Sequence, residues 1–88
     1  MRPPDIIDDS GNKYWYKEGT TIYHRLDGPA VEYSDGGRAW FVNGKYHRID
    51  GPAIEYANGI ILWYINGLNI DCKTQEEFDR LIRLKAFW

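Results

Sequence analysis

The chain has 88 residues, a formal charge of -2, 43% hydrophobic residues and 16% aromatic ones. That is enough for one domain with a modest core, and the composition is that of a folded chain, not a disordered one. A charge of -2 gives no basic field for a phosphate backbone, so duplex nucleic acid is not an expected partner. The single cysteine, Cys72, excludes an intrachain disulfide and suits a reducing compartment.

The chain begins Met1-Arg2-Pro3-Pro4-Asp5, which carries no apolar signal core, and no run approaches the length of a membrane span. The expectation is a soluble intracellular protein with no membrane partner. Residues 1–12 read as an extended lead-in that ends in the turn Asp9-Ser10-Gly11-Asn12. Residues 13–70 read as a repeat β-sheet. Its first unit, Tyr14-Trp15-Tyr16 followed by Gly19, is a divergent half-copy of what comes next.

Two full units follow. His24-Arg25-Leu26-Asp27-Gly28-Pro29-Ala30 returns 23 residues later as His47-Arg48-Ile49-Asp50-Gly51-Pro52-Ala53. Val31-Glu32-Tyr33 matches Ile54-Glu55-Tyr56, and Trp40-Phe41-Val42-Asn43-Gly44 matches Trp63-Tyr64-Ile65-Asn66-Gly67. A fixed period makes the repeat the structural unit. Inside each unit apolar residues alternate with period two, which indicates strands.

Ser34-Asp35-Gly36-Gly37 and Ala57-Asn58-Gly59-Ile60 are expected as four-residue hairpin loops, a register that sets Val31 opposite Trp40 and Ile54 opposite Trp63. Asn43-Gly44 and Asn66-Gly67 predict two-residue type I′ turns, because both central positions need positive φ. Short connections between successive strands imply an antiparallel meander.

The period then changes. Thr74-Gln75-Glu76-Glu77 is a capping box, and Phe78, Leu81, Ile82 and Lys85 follow at helical spacing, so a helix is expected over 74–85 with Ala86-Phe87-Trp88 as an apolar tail. The fold class is α+β, mostly β: an antiparallel meander of repeated β-hairpins with one C-terminal α-helix, in a single domain over 1–88.

One helix covers at most one face of such a sheet. The strand alternation places Trp15, Phe41, Leu62 and Tyr64 on the second face, where an uncovered aromatic surface would bind a host protein or a second copy of the chain. The corners suggest a different site. His24, Arg25, His47 and Arg48 together would make an anion site for a nucleotide, Arg supplying a planar donor fork and His a further donor. The competing reading is structural, with Arg25 paired to Asp27 and Arg48 to Asp50 to stiffen each turn.

Catalysis is not expected. His24 and His47 as an acid/base pair of a small phosphodiesterase-type hydrolase have no nucleophile or carboxylate cluster beside them. His24, His47 and Cys72 lack zinc-ligand spacing, and no cofactor or metal is implied.

The repeated His-Arg-x-Asp-Gly-Pro-Ala, with its acidic-aromatic strand and Trp-x-x-Asn-Gly, resembles a family of short repeats. These occur in small proteins of tailed bacteriophages and some bacteria and are similar to MORN-type β-hairpin repeats. The resemblance spans Tyr14 to Lys85 and is weakest in the first unit, which lacks Asn-Gly. It implies a repeat β-sheet and a non-enzymatic accessory role in the cytoplasm of a bacterial host, such as inhibiting or sequestering a defence factor. It implies no catalytic residue.

Overall fold

A computed structural model describes residues 2–84. The predicted Lys85 end of the helix and the Ala86-Phe87-Trp88 tail lie outside the described residues. The strands are β1 (Ile6–Ile7), β2 (Lys13–Tyr14), β3 (Val31–Glu32), β4 (Arg38–Ala39), β5 (Phe41–Val42), β6 (Lys45–Tyr46), β7 (Ile54–Glu55), β8 (Ile61–Ile65) and β9 (Leu68–Ile70), followed by helix α1 (Gln75–Leu84). Seven strands form an antiparallel sheet in the order β1-β2-β3-β4-β7-β8-β9, while β5 and β6 make a separate two-stranded ribbon. The mostly β, repeated-hairpin architecture with a C-terminal helix is therefore present.

Local chemistry explains the turns. Asn43 (φ 52°) and Gly44 (φ 80°) join β5 to β6, and Asn66 (φ 48°) and Gly67 (φ 83°) join β8 to β9. Positive φ at both positions is the type I′ geometry whose twist matches the flanking strands.

The other hairpins differ from the expected register by one residue. Val31 pairs with Ala39, not Trp40, and Ile54 pairs with Leu62, not Trp63. Tyr33 N–H donates to the Gly37 carbonyl at 2.8 Å, and Tyr56 N–H to the Ile60 carbonyl at 2.8 Å, so each loop holds three residues. Gly36 and Gly59 take the left-handed position that closes a three-residue loop. Asp35 Oδ1 accepts from Gly37 N–H at 2.9 Å, and Asn58 Oδ1 from Ile60 N–H at 3.1 Å, which holds the shorter loop in place.

The lead-in is extended and tied down. Ile6 pairs with Tyr14 in the sheet, Asp5 accepts from Tyr16 N–H at 2.7 Å, and the Arg2 carbonyl accepts from the Trp15 indole at 3.0 Å. Asp8 organises the turn after β1, accepting from the backbone N–H groups of Ser10 and Asn12 and from the Tyr14 hydroxyl.

At the other end Thr74 caps α1 by accepting from Glu77 N–H at 3.1 Å, while Glu77 reaches back one residue beyond the cap to Lys73 N–H at 2.7 Å. Phe78 is fully buried with Trp63, Ile65 and Ile70, and Cys72, Leu81 and Ile82 pack around them. Trp63 and Ile65 alternate with Leu62 and Tyr64 along β8, so α1 covers one side of that strand and leaves Tyr64 on the other. Among the described residues no helix is long and apolar enough to cross a membrane.

Candidate functional site

The repeated corners have one geometry, used twice. The Arg25 guanidinium carbon sits 4.0 Å from the ring centroid of Trp15, and that of Arg48 sits 3.7 Å from the ring centroid of Trp40. Each arginine thus lies on the tryptophan of the preceding hairpin. The glycine of its own corner also lies close to each guanidinium. A Cβ at Gly28 would stand 2.8 Å from Arg25 Cζ, and one at Gly51 only 2.6 Å from Arg48 Cζ. Neither glycine has a positive φ, so close approach, not backbone freedom, requires them.

In-plane contacts complete the enclosure. Arg25 Nε donates to Asp27 Oδ1 at 3.0 Å, and Nη1 donates to the Pro29 carbonyl at 3.0 Å and to Glu32 at 3.4 Å. Arg48 repeats this set with Asp50 at 3.0 Å, the Pro52 carbonyl at 3.0 Å and Glu55 at 3.1 Å. The guanidinium hydrogen bond to Asp27 holds that carboxyl below the ordinary aspartate range.

The histidines are equally committed. His24 Nδ1 accepts from Asn43 N–H at 2.9 Å and His47 Nδ1 from Asn66 N–H at 3.1 Å, so each imidazole pins the type I′ turn of the next hairpin. These contacts commit Nε and Nη1 of Arg25 and Arg48 and Nδ1 of His24 and His47 to the corners themselves.

The residues predicted for the second surface, Trp15, Phe41, Leu62 and Tyr64, are not equally placed. Trp15 is 3% exposed beneath Arg25 and takes no part in it. The Arg25 guanidinium covers this ring. Phe41 and Tyr64 are half-buried members of a continuous aromatic row. Tyr14 and Tyr16 each stack on Tyr23 at 5.8 Å, and Tyr23 meets Phe41 at 5.1 Å. Phe41 meets Tyr46 at 4.4 Å, and Tyr46 meets Tyr64 at 5.0 Å. Leu62, two residues before Tyr64 on β8, lies half-buried on the same side of that strand.

Tyr33 and Tyr56 lie near enough to this row to act on its charges. Burial pushes the Tyr46 hydroxyl above its ordinary value, and the neighbouring Tyr33, Tyr56, Tyr64 and Tyr23 push it further. Burial does the same to Tyr33, with Tyr23 and Tyr56 adding to it. Five tyrosines, Tyr14, Tyr16, Tyr23, Tyr46 and Tyr64, thus meet Phe41 in one row of rings. Tyr33 at 42% and Tyr56 at 50% are more open than the rings of the row. Tyr23, Tyr33, Tyr46 and Tyr56 were not legible as site residues from strand alternation. The signal that marks them is the 23-residue spacing within each of these two pairs.

No family model, curated protein or solved structure matches the chain. Its chemistry is therefore read from its own geometry. Cys72 is a poor nucleophile, because burial, aided by Glu77 and Asp71, pushes its thiol up to about 11. Among the described residues no group of three or more His, Cys, Asp or Glu side chains could hold a metal ion. What the molecule presents is a tyrosine-rich row of half-buried rings. Such surfaces give large contact area with little side-chain entropy to lose.

Proposed function

We propose that this chain is a non-enzymatic binding protein that docks its tyrosine cluster on one protein of a host cell and so inhibits or sequesters it. The observation that carries this reading is the row in which five tyrosines meet Phe41, with Tyr33 and Tyr56 left open nearby. Tyrosine is enriched at interfaces because one residue supplies both apolar area and a hydroxyl donor. The resemblance to phage repeat proteins supplies the setting: a bacteriophage accessory protein in the bacterial cytoplasm, with a defence factor as the target. Against a catalytic reading stand the two imidazoles, whose Nδ1 atoms already accept from backbone N–H groups.

The test uses the two exposed rings, because their removal leaves the stacked row intact. Tyr33→Ser with Tyr56→Ser should melt within about 1 kcal/mol of the parent, as surface changes usually do. The double variant should lose the host protein that the parent carries through gel filtration. A double variant that retains the partner overturns the reading. A parent that carries no host protein but sediments as a dimer sensitive to the same two changes would replace the host protein with a second copy of the chain.

A further inference from the structure

The corners that resemble an anion site in sequence carry the opposite sign at their surface. The arginine side chains are 5% exposed at Arg25 and 21% at Arg48, whereas Asp27 is 60% exposed and Asp50 85%. Cations are enclosed and carboxylates face outward, so each corner presents negative charge to solvent. Between the two corners lies an open groove with a cavity volume of about 580 Å³, within the range that holds small ligands. Trp40 and Val42 line it with Arg25, Leu26 and Asp27 from one corner and Arg48, Ile49 and Asp50 from the other, the arginines being the more enclosed of the charged groups.

Leu26 is 80% exposed and Ile49 59% exposed. They occupy the same place in the repeated motif, the variable position between Arg and Asp. Both stand at the groove, so a ligand seated there covers apolar area from each corner.

We propose that this groove binds a short basic peptide segment in which apolar and cationic residues alternate. An apolar side chain enters between Leu26 and Ile49 and rests on Trp40. Its cationic neighbours meet the carboxylates of Asp27 and Asp50, each of which commits only Oδ1 to its own arginine. His47 also lines the groove, and because its Nδ1 accepts from Asn66, the nitrogen left for a ligand is the Nε2–H donor, suited to a peptide carbonyl. The outward carboxylates repel phosphate, so nucleotides and anionic lipid are poor occupants. This groove is a second surface, independent of the tyrosine cluster.

The probe is a capped Lys-Leu-Lys-Leu-Lys peptide titrated into the full chain at low salt, followed by methyl NMR of Leu26 and Ile49 and by tryptophan fluorescence. Saturable shifts at both methyls are expected. A capped Glu-Leu-Glu-Leu-Glu peptide should bind at least about tenfold more weakly, and so should the lysine peptide once 0.5 M salt screens the rim charges. Leu26→Ser with Ile49→Ser, both at exposed positions, should weaken binding about tenfold without lowering the melting temperature. Asp27→Asn with Asp50→Asn keeps an oxygen acceptor for each arginine and should remove most of the salt dependence.

Four results would overturn the proposal: no saturable shift at millimolar peptide, equal response to the glutamate peptide, undiminished binding by the Leu26/Ile49 double variant, or shifts confined to the tyrosine rings. The tyrosine-face proposal is tested separately, by Tyr33→Ser with Tyr56→Ser.

Discussion

The two ends of the repeat sheet close the same kind of tryptophan in different ways. Trp15 and Trp40 lie beneath an arginine whose charge is met by an aspartate, a glutamate and a proline carbonyl. Trp63 has no such arginine. One period beyond Arg48 the chain reads Asp71, and Ile70 stands where a third histidine would be. There the chain turns into α1 instead, which brings Phe78 against Trp63 at 6.5 Å and sets Gln75 within 3.5 Å of the Trp63 indole nitrogen. Gln75 also donates to the Ile49 carbonyl at 3.0 Å, tying the helix to the second corner.

The difference separates propagation from termination. An arginine corner leads straight into the next strand, since the proline carbonyl that accepts from it directly precedes Ala30 or Ala53, the residue that enters the ladder. It can therefore be repeated. The helix buries its apolar side and turns a charged side outward, which ends the stack as capping units do in repeat proteins.

The largest expected effect lies at the helix end. Phe78 is fully buried, so Phe78→Ala should destabilise by about 3–5 kcal/mol in urea unfolding, combining lost transfer energy with a cavity. A change below about 1 kcal/mol would mean that α1 does not act as the terminator.

Next comes the glycine under the guanidinium. Gly51→Ala forces a methyl group to within 2.6 Å of Arg48 Cζ and should cost about 1–3 kcal/mol. The same change in an Arg48→Ala background should cost almost nothing, because the clash has gone. A double-mutant cycle that came out additive would show that the glycine serves some other purpose.

The two arginine corners should also differ from each other. Arg25→Ala loses a stack that is nearly sealed and should cost about 2 kcal/mol, while the more exposed Arg48→Ala should cost about 1 kcal/mol. Thermal melts of the two single variants check the order.

The smallest effect concerns acid. Hydrogen bonding to Arg25 lowers the Asp27 carboxyl in the folded state, so its charge favours folding at every pH above the ordinary aspartate range. That contribution is lost as pH falls from about 4 through the folded value. Melting temperature from pH 5 to pH 2 should drop less steeply for Asp27→Asn than for the parent. Parallel curves would remove Asp27 from the acid response.

Much of this was legible because it is local. The 23-residue period, the Asn-Gly turns, the capping box and the antiparallel order each depend on residues close together in the chain. The one-residue shift was not legible, because Asp35-Gly36-Gly37 and Asn58-Gly59-Ile60 allow a three- or a four-residue loop, and only the laddered chain selects between them. That shift decides which side chains face inward, since strand alternation has period two. The arginine stack was hidden for a related reason: Arg25 and Arg48 lie over rings contributed by the hairpin before, a contact that no motif spells out.

By itself, the amino-acid order determined that this protein is a run of like hairpins ended by a helix, since turn conformation and helix capping are settled within a few residues. Only the tertiary structure decided that the arginines are enclosed, that the aspartates face solvent and that five tyrosines meet Phe41 in one row. Those outcomes depend on which hairpin lies against which, and burial and surface charge exist only after the hairpins have stacked.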